Sequence, residues 1–329
     1  MQVIVTGSLS YDFIMNFSGR FADRIMPDKI HCISLSFLAD KLNKQLGGTA
    51  GNIAYTLNLL GIKPNIVACA GGDFDIYKKF LQKNKISDKH ISIKKNINTS
   101  SYFVITDKDD NQIGSFYSGA MKRSKDLKIK DVVKKLPATS YQLPVTSYQL
   151  PAPFIIISPN DTKALVSYVD ECCKNNFDFI YDPAFQIGAL SSKDVKKGIA
   201  GAKIVIGNDY EIALIEKALG VSHSQLIKQT NTLITTLGPK GSIIETNAES
   251  MHIKPAKPKN TSDPTGAGDA YRGGFVAGFI RGFDLEICGQ MGAVAAVYTV
   301  EKYGTVTHKY SKKQFCDRYY ENYGKKLRL

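Results

Sequence analysis

Short apolar runs alternate with amphipathic segments along most of this chain of 329 residues. The runs have the length and character of buried strands, and they comprise Val3–Thr6, Asn65–Ala70, Phe154–Ser158, Asp178–Tyr181, Lys203–Ile206 and Thr232–Thr236. The segments between them have helical spacing at Asn52–Leu60, Phe74–Asn84, Ala164–Lys174 and Tyr210–Leu219. Strands that alternate with helices form parallel sheets covered on both faces. The pattern therefore predicts one α/β domain over residues 1–329.

Two stretches depart from this alternation. Ser101–Thr106 and Gln112–Tyr117 flank the polar turn 107–111 and predict a hairpin. We expect Phe13–Phe17 and His31–Phe37 to add further strands, so that residues of about 13–39 and 98–118 form a small β lid over a cleft. The alternative is that the hairpin lies at the edge of the main sheet.

One segment is duplicated: Thr-Ser-Tyr-Gln-Leu-Pro occurs at 139–144 and again at 146–151. It lies within 137–153, where four prolines prevent a helix or an unbroken strand. We interpret it as a tolerated insertion in a surface loop that joins a helix to the strand Phe154–Ser158. The alternative is a proline-rich ligand for a partner domain.

Composition excludes several classes of protein. The net charge is +13, but the basic residues are dispersed and are not interleaved with aromatic residues. This distribution predicts a solvated basic surface that attracts anionic nucleotides, and no nucleic-acid groove. No segment approaches the ~18 apolar residues of a membrane helix. The chain opens on a strand-like segment without a basic leader, and its six cysteines form no C-x-x-C pair. We therefore expect a cytoplasmic protein with reduced thiols.

The strongest motif is the heptad Asp263-Pro-Thr-Gly-Ala-Gly-Asp269, which is followed by a run of small residues. Gly266 and Gly268 let the backbone approach a ligand, and a glycine turn that enters a helix offers free amides and the positive end of the helix dipole. A carboxylate beside such an anion site is repulsive unless it accepts a proton during catalysis. The motif thus favours Asp269 as a base, whereas the alternative is a simple helix cap.

This heptad resembles the signature of the ribokinase-like family of carbohydrate and nucleoside kinases. Further matches follow in family order, namely the glycine motif 47–52, the N-x-x-E element 208–211, the nucleotide loop 235–241 and Gly304-Thr305. They span essentially the whole chain apart from the proline-rich insertion. The resemblance implies a ribokinase-like three-layer sandwich, with a mostly parallel sheet, helices on both faces and a small β lid.

The resemblance also implies the machinery of phosphoryl transfer from ATP, with Mg²⁺ bridging the outer phosphates. Asp269 would be the catalytic base, and the amides of Gly266, Ala267 and Gly268 would form an anion hole. Glu211 would order Mg²⁺ through water. The implied ATP contacts are Asn208, Thr236, Gly238, Gly241 and Gly304.

Within the family, several segments look like those of adenosine kinases of actinobacterial type, namely Val5–Ser8 with Asp12, Gly19–Phe21, 34–38 and 115–121. That likeness implies transfer to the 5′-hydroxyl of adenosine, giving AMP and ADP in purine salvage. The implied nucleoside contacts are Ser8, Asp12, Ser36, Gly48 and Asn52, with Tyr102 and Phe116 sandwiching the purine. Gln186 joins them as the one polar residue of 184–189, where related kinases carry more polar groups. By analogy, paired lids would make a homodimer.

Other interpretations stay open. A sugar kinase of the same family, similar to ribokinase or fructokinase, would need polar groups in place of Tyr102 and Phe116. A non-catalytic nucleotide-binding regulator would be expected to lack Asp269. Taken singly, Asp12 could be a turn residue, Asn52 a helix cap and the two aromatic residues cross-strand partners. A dinucleotide-dependent dehydrogenase is disfavoured because no G-x-G-x-x-G follows the first strand.

Overall fold

The computed structural model describes residues 1–109, 111–136 and 152–329, so both copies of the duplicated segment lie outside the described residues. Its strands are β1 (Val3–Thr6), β2 (Ser10–Asn16), β3 (Lys41–Gly47), β4 (Pro64–Gly71), β5 (Ile91–Lys94), β6 (Ser100–Thr106), β7 (Gln112–Tyr117), β8 (Phe154–Ile157), β9 (Phe179–Tyr181), β10 (Ile204–Asn208), β11 (Leu233–Thr236), β12 (Ser242–Glu245) and β13 (Ser250–Ile253). Its helices are α1 (Thr49–Leu59), α2 (Asp75–Lys83), α3 (Ile129–Val133), α4 (Thr162–Asn175), α5 (Ser192–Gly201), α6 (Asp209–Leu219), α7 (His223–Gln229), α8 (Ala267–Phe279), α9 (Leu285–Val300) and α10 (Lys312–Tyr323).

The larger sheet has the strand order β13-β12-β11-β10-β9-β8-β1-β4-β5. From β11 to β5 neighbouring strands are parallel, whereas β12 and β13 are antiparallel at one edge. All six strands predicted from apolar runs are confirmed, as are the four predicted helices, which correspond to α1, α2, α4 and α6. Because parallel strands end at the same edge, the loops after β1, β9, β10 and β11 open on one side of the domain.

Helices cover both faces of this sheet, as the alternation of strands and helices predicted. Side chains of successive strand residues point to opposite faces. Val3 and Val5 accordingly pack into one apolar core with α1, α8 and α9, whereas Ile4 packs into a second core with α4 and α5. All three side chains are fully buried. The sheet is therefore the middle layer of three.

A second, four-stranded sheet has the order β3-β2-β6-β7. The predicted hairpin is confirmed, since β6 and β7 pair antiparallel. The prediction of a strand at His31–Phe37 is wrong: residues 27–32 form a 3-10 turn and residues 33–39 have no regular secondary structure. The third strand is instead β3, which pairs with β2 along its full length while β6 pairs with the other edge. Both edges of β2 are thus filled, by β3 and β6, so His31–Phe37 is not a neighbour of β2.

The small-residue run after Asp269 forms α8, which packs closely on α9. A Cβ added at Gly274 would lie 2.6 Å from the carbonyl oxygen of Met291, so the two helix backbones are in direct contact. This contact holds the first turn of α8 against the edge of the sheet where the loops open. Over the described parts of the chain, none of the helices combines the length and the apolar character required to cross a membrane.

Candidate active site

The first turn of α8 places Asp269 at the open edge of the sheet. Gly266, with φ at 79°, turns the chain into the helix. Asn52 on α1 donates a hydrogen bond from Nδ2 to Oδ2 of Asp269 at 2.8 Å. Burial raises the pKa of Asp269 to about 6, although Arg272 and Asn52 oppose the rise. A positioned carboxylate whose pKa lies close to neutrality is suited to accept a proton at that point.

The loop before α8 is tied to the C-terminal motif by one carboxylate. Asp263 accepts hydrogen bonds from the amide of Thr265 at 2.9 Å and from the amide of Gly304 at 3.0 Å. The amide of Ala267, one of the three predicted to form an anion hole, donates to the carbonyl of Pro264 at 3.1 Å and is therefore engaged in the turn. The next amides of the helix, beginning with Gly268, have no carbonyl available within the helix itself. These amides are the donors that an anion would meet.

A buried ion pair lies next to Asp269, and sequence analysis missed it. Arg272 donates from Nη2 to Oδ1 of Asp182 at 2.9 Å, and its Nε lies 2.5 Å from Oδ2. Both side chains are almost fully buried. Burial raises the pKa of Asp182 to about 6 against the opposing effect of Arg272. The sequence did contain a sign of this pair. Asp182 directly follows the apolar strand β9, and Arg272 lies within the largely apolar helix α8, so each is a charged residue in a segment expected to be buried.

One row of side chains crosses all four strands of the smaller sheet. Asp12 on β2 is in register with Gln45 on β3 and with Tyr102 on β6, and Tyr102 is in register with Phe116 on β7. Partners in register project from the same face of a sheet. Residues from four separate segments therefore share one face. Gln45 belongs to this row but was not predicted, because its neighbours in the sequence do not reveal its strand partner.

Asp12 lies in the middle of the row and faces the same cleft as Asp269. Its Oδ1 accepts a hydrogen bond from the hydroxyl of Ser10 at 2.9 Å, and burial raises its pKa to about 6. A Cβ added at Gly47 would lie 2.0 Å from Oδ2 of Asp12, so the carboxylate needs a glycine on the adjacent strand. The Asp12 carboxylate is near enough to Asp269 to contribute to the raised pKa of that residue, after the larger effect of burial.

The aromatic residues are arranged differently from the predicted sandwich. Tyr102 and Phe116 are neighbours in register, so they lie side by side and cannot enclose a flat group between them. The opposing ring belongs to Phe185, whose centroid lies 6.4 Å from that of Phe116 at an interplanar angle of 60°. Phe185 follows Ala184, whose φ of 45° is rare for a residue with a side chain. The main domain thus provides the facing aromatic group.

Two of the predicted nucleoside contacts have local structural roles. The Ser8 hydroxyl accepts a hydrogen bond from the amide of Thr49 at 3.1 Å, and the Ser8 carbonyl accepts one from the amide of Ala50 at 3.0 Å. Ser8 therefore caps the start of α1. Gly48 has φ at 92°, and a Cβ there would lie 2.6 Å from the Ser8 carbonyl oxygen. Both residues shape the turn that presents Asn52, which donates a hydrogen bond to Asp269.

Two further predicted contacts make no hydrogen bond to Asp12 or Asp269 among the described residues. Gln186 is buried, and its Oε1 accepts a hydrogen bond from the amide of Asn160 at 2.9 Å. It therefore braces the turn that carries Phe185. Ser36 is exposed within the irregular segment 33–39, and no hydrogen bond to another described residue joins it to the cleft.

The N-x-x-E element forms a capping box at the start of α6. Asn208 Oδ1 accepts from the amide of Glu211 at 2.8 Å, and Glu211 Oε2 accepts from the amide of Asn208 at 2.8 Å. This arrangement satisfies two donors at the helix start. Glu211 still faces the site, because its charge adds to the burial effect that raises the pKa of Asp182 and of Asp269.

The other predicted nucleotide contacts lie at the end of β11 and on the loops after β11 and α9. The Thr236 hydroxyl donates to the Gly207 carbonyl at 3.4 Å. Positive φ angles occur at Gly238 (56°), Gly241 (93°) and Gly304 (93°), which makes both loops dependent on glycine. Thr305, next to Gly304, donates from its hydroxyl to the Leu46 carbonyl at 2.8 Å. The C-terminal loop is therefore attached directly to β3 of the smaller sheet.

The residues of the candidate site fit a magnesium ion that binds together with the phosphates of a nucleotide. In the ranges that the structure covers, no three His, Cys, Asp or Glu side chains are grouped closely enough to hold a metal. Mg²⁺ commonly keeps several waters and binds through one or two carboxylates together with substrate phosphates. Glu211, a single carboxylate beside the first turn of α8, has the chemistry for such a contact through water.

Comparison with known proteins gives consistent matches. The family model of the pfkB family carbohydrate kinases matches residues 2–312. A nucleoside kinase of Methanocaldococcus jannaschii is 28% identical over 309 residues, which cover 93% of each chain. An ATP-dependent 6-phosphofructokinase of Thermoanaerobacterium thermosaccharolyticum is 27% identical over 292 residues, or 82% of this chain and 83% of the relative.

Comparison with a solved structure agrees with these sequence matches. The nucleoside kinase of Burkholderia thailandensis in complex with inosine has a TM-score of 0.85 at 27% identity, covering 98% of this chain and 99% of that chain. The ribokinase-like fold prediction is thereby confirmed. The nucleoside kinases among these relatives come from Methanocaldococcus jannaschii and Burkholderia thailandensis, so the finer likeness to actinobacterial adenosine kinases stays a prediction.

Proposed function

The chain belongs to the pfkB family of carbohydrate kinases, and within that family we propose that it phosphorylates the 5′-hydroxyl of a purine nucleoside, with adenosine as the first candidate. It is an ATP-dependent kinase with a hydroxyl acceptor, and the proposal concerns which acceptor it uses. With adenosine the products are AMP and ADP, a step of purine salvage.

The row Gln45–Asp12–Tyr102–Phe116 is the observation that carries this proposal. Its aromatic end, faced by Phe185, offers apolar ring surface to a purine. The carboxylate in the middle can accept hydrogen bonds from two ribose hydroxyls, each worth roughly 1.5–3 kcal/mol because the acceptor is charged. A free sugar would fill only the polar part and would leave the aromatic end without a partner.

Asp269 acts on the hydroxyl that this arrangement presents. The 5′-hydroxyl gives its proton to the Asp269 carboxylate as its oxygen attacks the γ-phosphorus of ATP. The bond from that phosphorus to the bridging oxygen breaks, and ADP leaves with the electron pair. Asn52 orients the carboxylate through its 2.8 Å hydrogen bond, and the free amides in the first turn of α8 stabilise the charge on the transferring group.

Magnesium, when bound with ATP, would neutralise negative charge on the phosphates. Glu211 would hold it through water, since one of its carboxylate oxygens is engaged by the Asn208 amide. The same residue would orient the outer phosphates toward the start of α8.

An assay of ADP release tests the acceptor. The panel contains adenosine, inosine, guanosine, cytidine and uridine, together with ribose, fructose and fructose 6-phosphate. We expect a purine nucleoside to have the highest kcat/KM, with adenosine first. Fructose 6-phosphate deserves its place because a 6-phosphofructokinase is among the relatives. A sugar or sugar phosphate as the best acceptor would replace the nucleoside proposal with the sugar-kinase alternative.

We also propose that two copies pair through the outer face of the smaller sheet. That face, turned away from the cleft, exposes Leu42 (63%), Phe103 (41%) and Ile113 (45%) on three different strands. Exposed apolar side chains grouped in this way are typical of an interface. We expect Leu42→Asp together with Ile113→Asp to convert a dimer to a monomer in light scattering after size exclusion. A parent protein that is monomeric at tens of micromolar would contradict the proposal.

A further inference from the structure

The guanidinium of Arg272 has one nitrogen that its ion pair does not use. Nη2 donates to Asp182, and Nε lies beside the other oxygen of the same carboxylate. Within the described residues, Nη1 has no hydrogen-bond acceptor, although the side chain is only 7% exposed. Nη1 is not fully enclosed by the protein, so it can donate to a group that binds in the cleft.

The free nitrogen lies against the anion site at the start of α8. A Cβ added at Gly268 would lie 2.8 Å from Nη1 of Arg272, so this nitrogen is next to the backbone of the first helical turn. Side chains on a helix point back toward its N-terminus. Arg272 therefore reaches the free amides that begin at Gly268, and the absence of a side chain at Gly268 leaves room for it.

We propose that Arg272 is a further catalytic residue, whose Nη1 donates to an oxygen of the transferring phosphoryl group while Asp182 fixes the orientation of the guanidinium. The inference rests on the kinase chemistry of the family and is independent of which acceptor is used. An arginine held by a carboxylate through two of its nitrogens needs no reordering when charge develops on the phosphoryl oxygens, and such preorganised donors lower the barrier.

Charge at the site gives a second reason for this role. The carboxylates of Asp182, Asp269 and Glu211 all lie close enough to act on the guanidinium. They would repel the triphosphate of ATP. A positive side chain among them lets the anionic group approach Asp269 and keeps that carboxylate available as a base.

The test compares Arg272→Lys and Arg272→Ala with the parent protein, using the best acceptor of the panel. We expect kcat to fall about 10²–10³-fold in both variants, the range for loss of one such donor. The Kd of ADP should stay within about twofold, because the contact is made to the group that ADP lacks. Added guanidinium ion should restore part of the activity of Arg272→Ala and none of that of Arg272→Lys, where the lysine side chain fills the space.

A second buried arginine provides the matched control. Arg318 is paired with Glu301, with Nη1 to Oε2 at 2.8 Å, and is as deeply buried as Arg272. Arg318→Lys should lower the melting temperature while kcat per folded molecule stays within about twofold. Should Arg272→Ala fail to fold, Asp182→Asn and Arg272→Lys decide the question, with an expected loss of kcat of about tenfold or more in Asp182→Asn and of about 10²–10³-fold in Arg272→Lys. A kcat above one third of the parent value in Arg272→Lys would overturn the proposal.

Discussion

The two ends of the cleft are built in contrasting ways. At the start of α8, polar groups are buried and paired: Asp269 with Asn52, and Arg272 with Asp182. These residues lie on elements of the three-layer core. At the other end, Phe116 lies on an edge strand of the smaller sheet, and every residue of that strand is exposed. From this contrast we expect phosphoryl transfer to depend on the buried, paired network and acceptor choice to depend on the smaller sheet, so that kcat and KM respond to different substitutions.

Asp269→Asn is the strongest way to test the rigid end. The substitution keeps the shape and the hydrogen bond from Asn52 but removes the proton acceptor. We expect kcat to fall at least ~10²–10⁴-fold while the Kd of ATP stays within a few-fold. Rapid-quench measurement of a single turnover, with ATP binding followed by calorimetry, gives both quantities.

Asn52→Ala provides the comparison for that variant. It leaves the carboxylate but removes the group that orients it, so we expect a smaller loss of kcat, about tenfold. A turnover in Asp269→Asn within tenfold of the parent would contradict the role of Asp269 as the base. It would also remove the contrast between the two ends of the cleft.

Phe116→Ala tests the lighter end. Loss of a stacking partner worth about 0.5–1.5 kcal/mol, together with lost apolar burial, should raise the KM of a nucleoside ten- to a hundredfold. The value of kcat should change little. Any weak activity on ribose should stay the same, because ribose has no base to stack.

Tyr117→Ala is the matched control for Phe116→Ala. Tyr117 is the next residue of the same strand and projects from the opposite face. Its truncation should leave the KM of the nucleoside within about twofold. Equal KM values for the nucleoside in Phe116→Ala and in the parent would show that the aromatic end does not bind a base.

The smallest expected effect concerns stability, and its direction depends on pH. Burial raises the pKa of Asp269 to about 6 in the folded protein, with Arg272 and Asn52 opposing and Asp12 and Glu211 adding to the rise. An unfolded aspartate titrates near 3.9. As pH rises from about 4 to 6, the unfolded chain has already lost the proton that the folded state retains, so stability falls.

The melting temperature of Asp269→Asn should therefore be higher than that of the parent at pH 8 and equal to it below about pH 4. A shift of about 2–4 °C corresponds to ~1 kcal/mol, and calorimetry at both pH values measures it. Asp317→Asn, which alters an exposed carboxylate paired with Lys313, should shift the melting temperature less at pH 8. A lower melting temperature of Asp269→Asn at pH 8 would show that the network stabilises the charged carboxylate.

The sequence by itself determined the layered architecture and the positions of the glycine turns where we expect the backbone to approach a ligand. Strand–helix periodicity depends on residues close in the chain, and it located six strands of the larger sheet and four helices within a few residues. Local sterics likewise locate glycine turns, as at Gly266, where φ is 79°. The family signature placed Asp269 at the start of a helix, and the structure agrees.

Only the tertiary structure decided which segments meet. Pairing chose Lys41–Gly47 over His31–Phe37 as the neighbour of β2, because strand register depends on both partners and on the space between them. Register also placed Tyr102 beside Phe116 and brought Phe185 to face them from another layer. Arg272 met Asp182 across 90 positions of sequence. Periodicity contains no information about such contacts, because packing of distant elements brings these residues together.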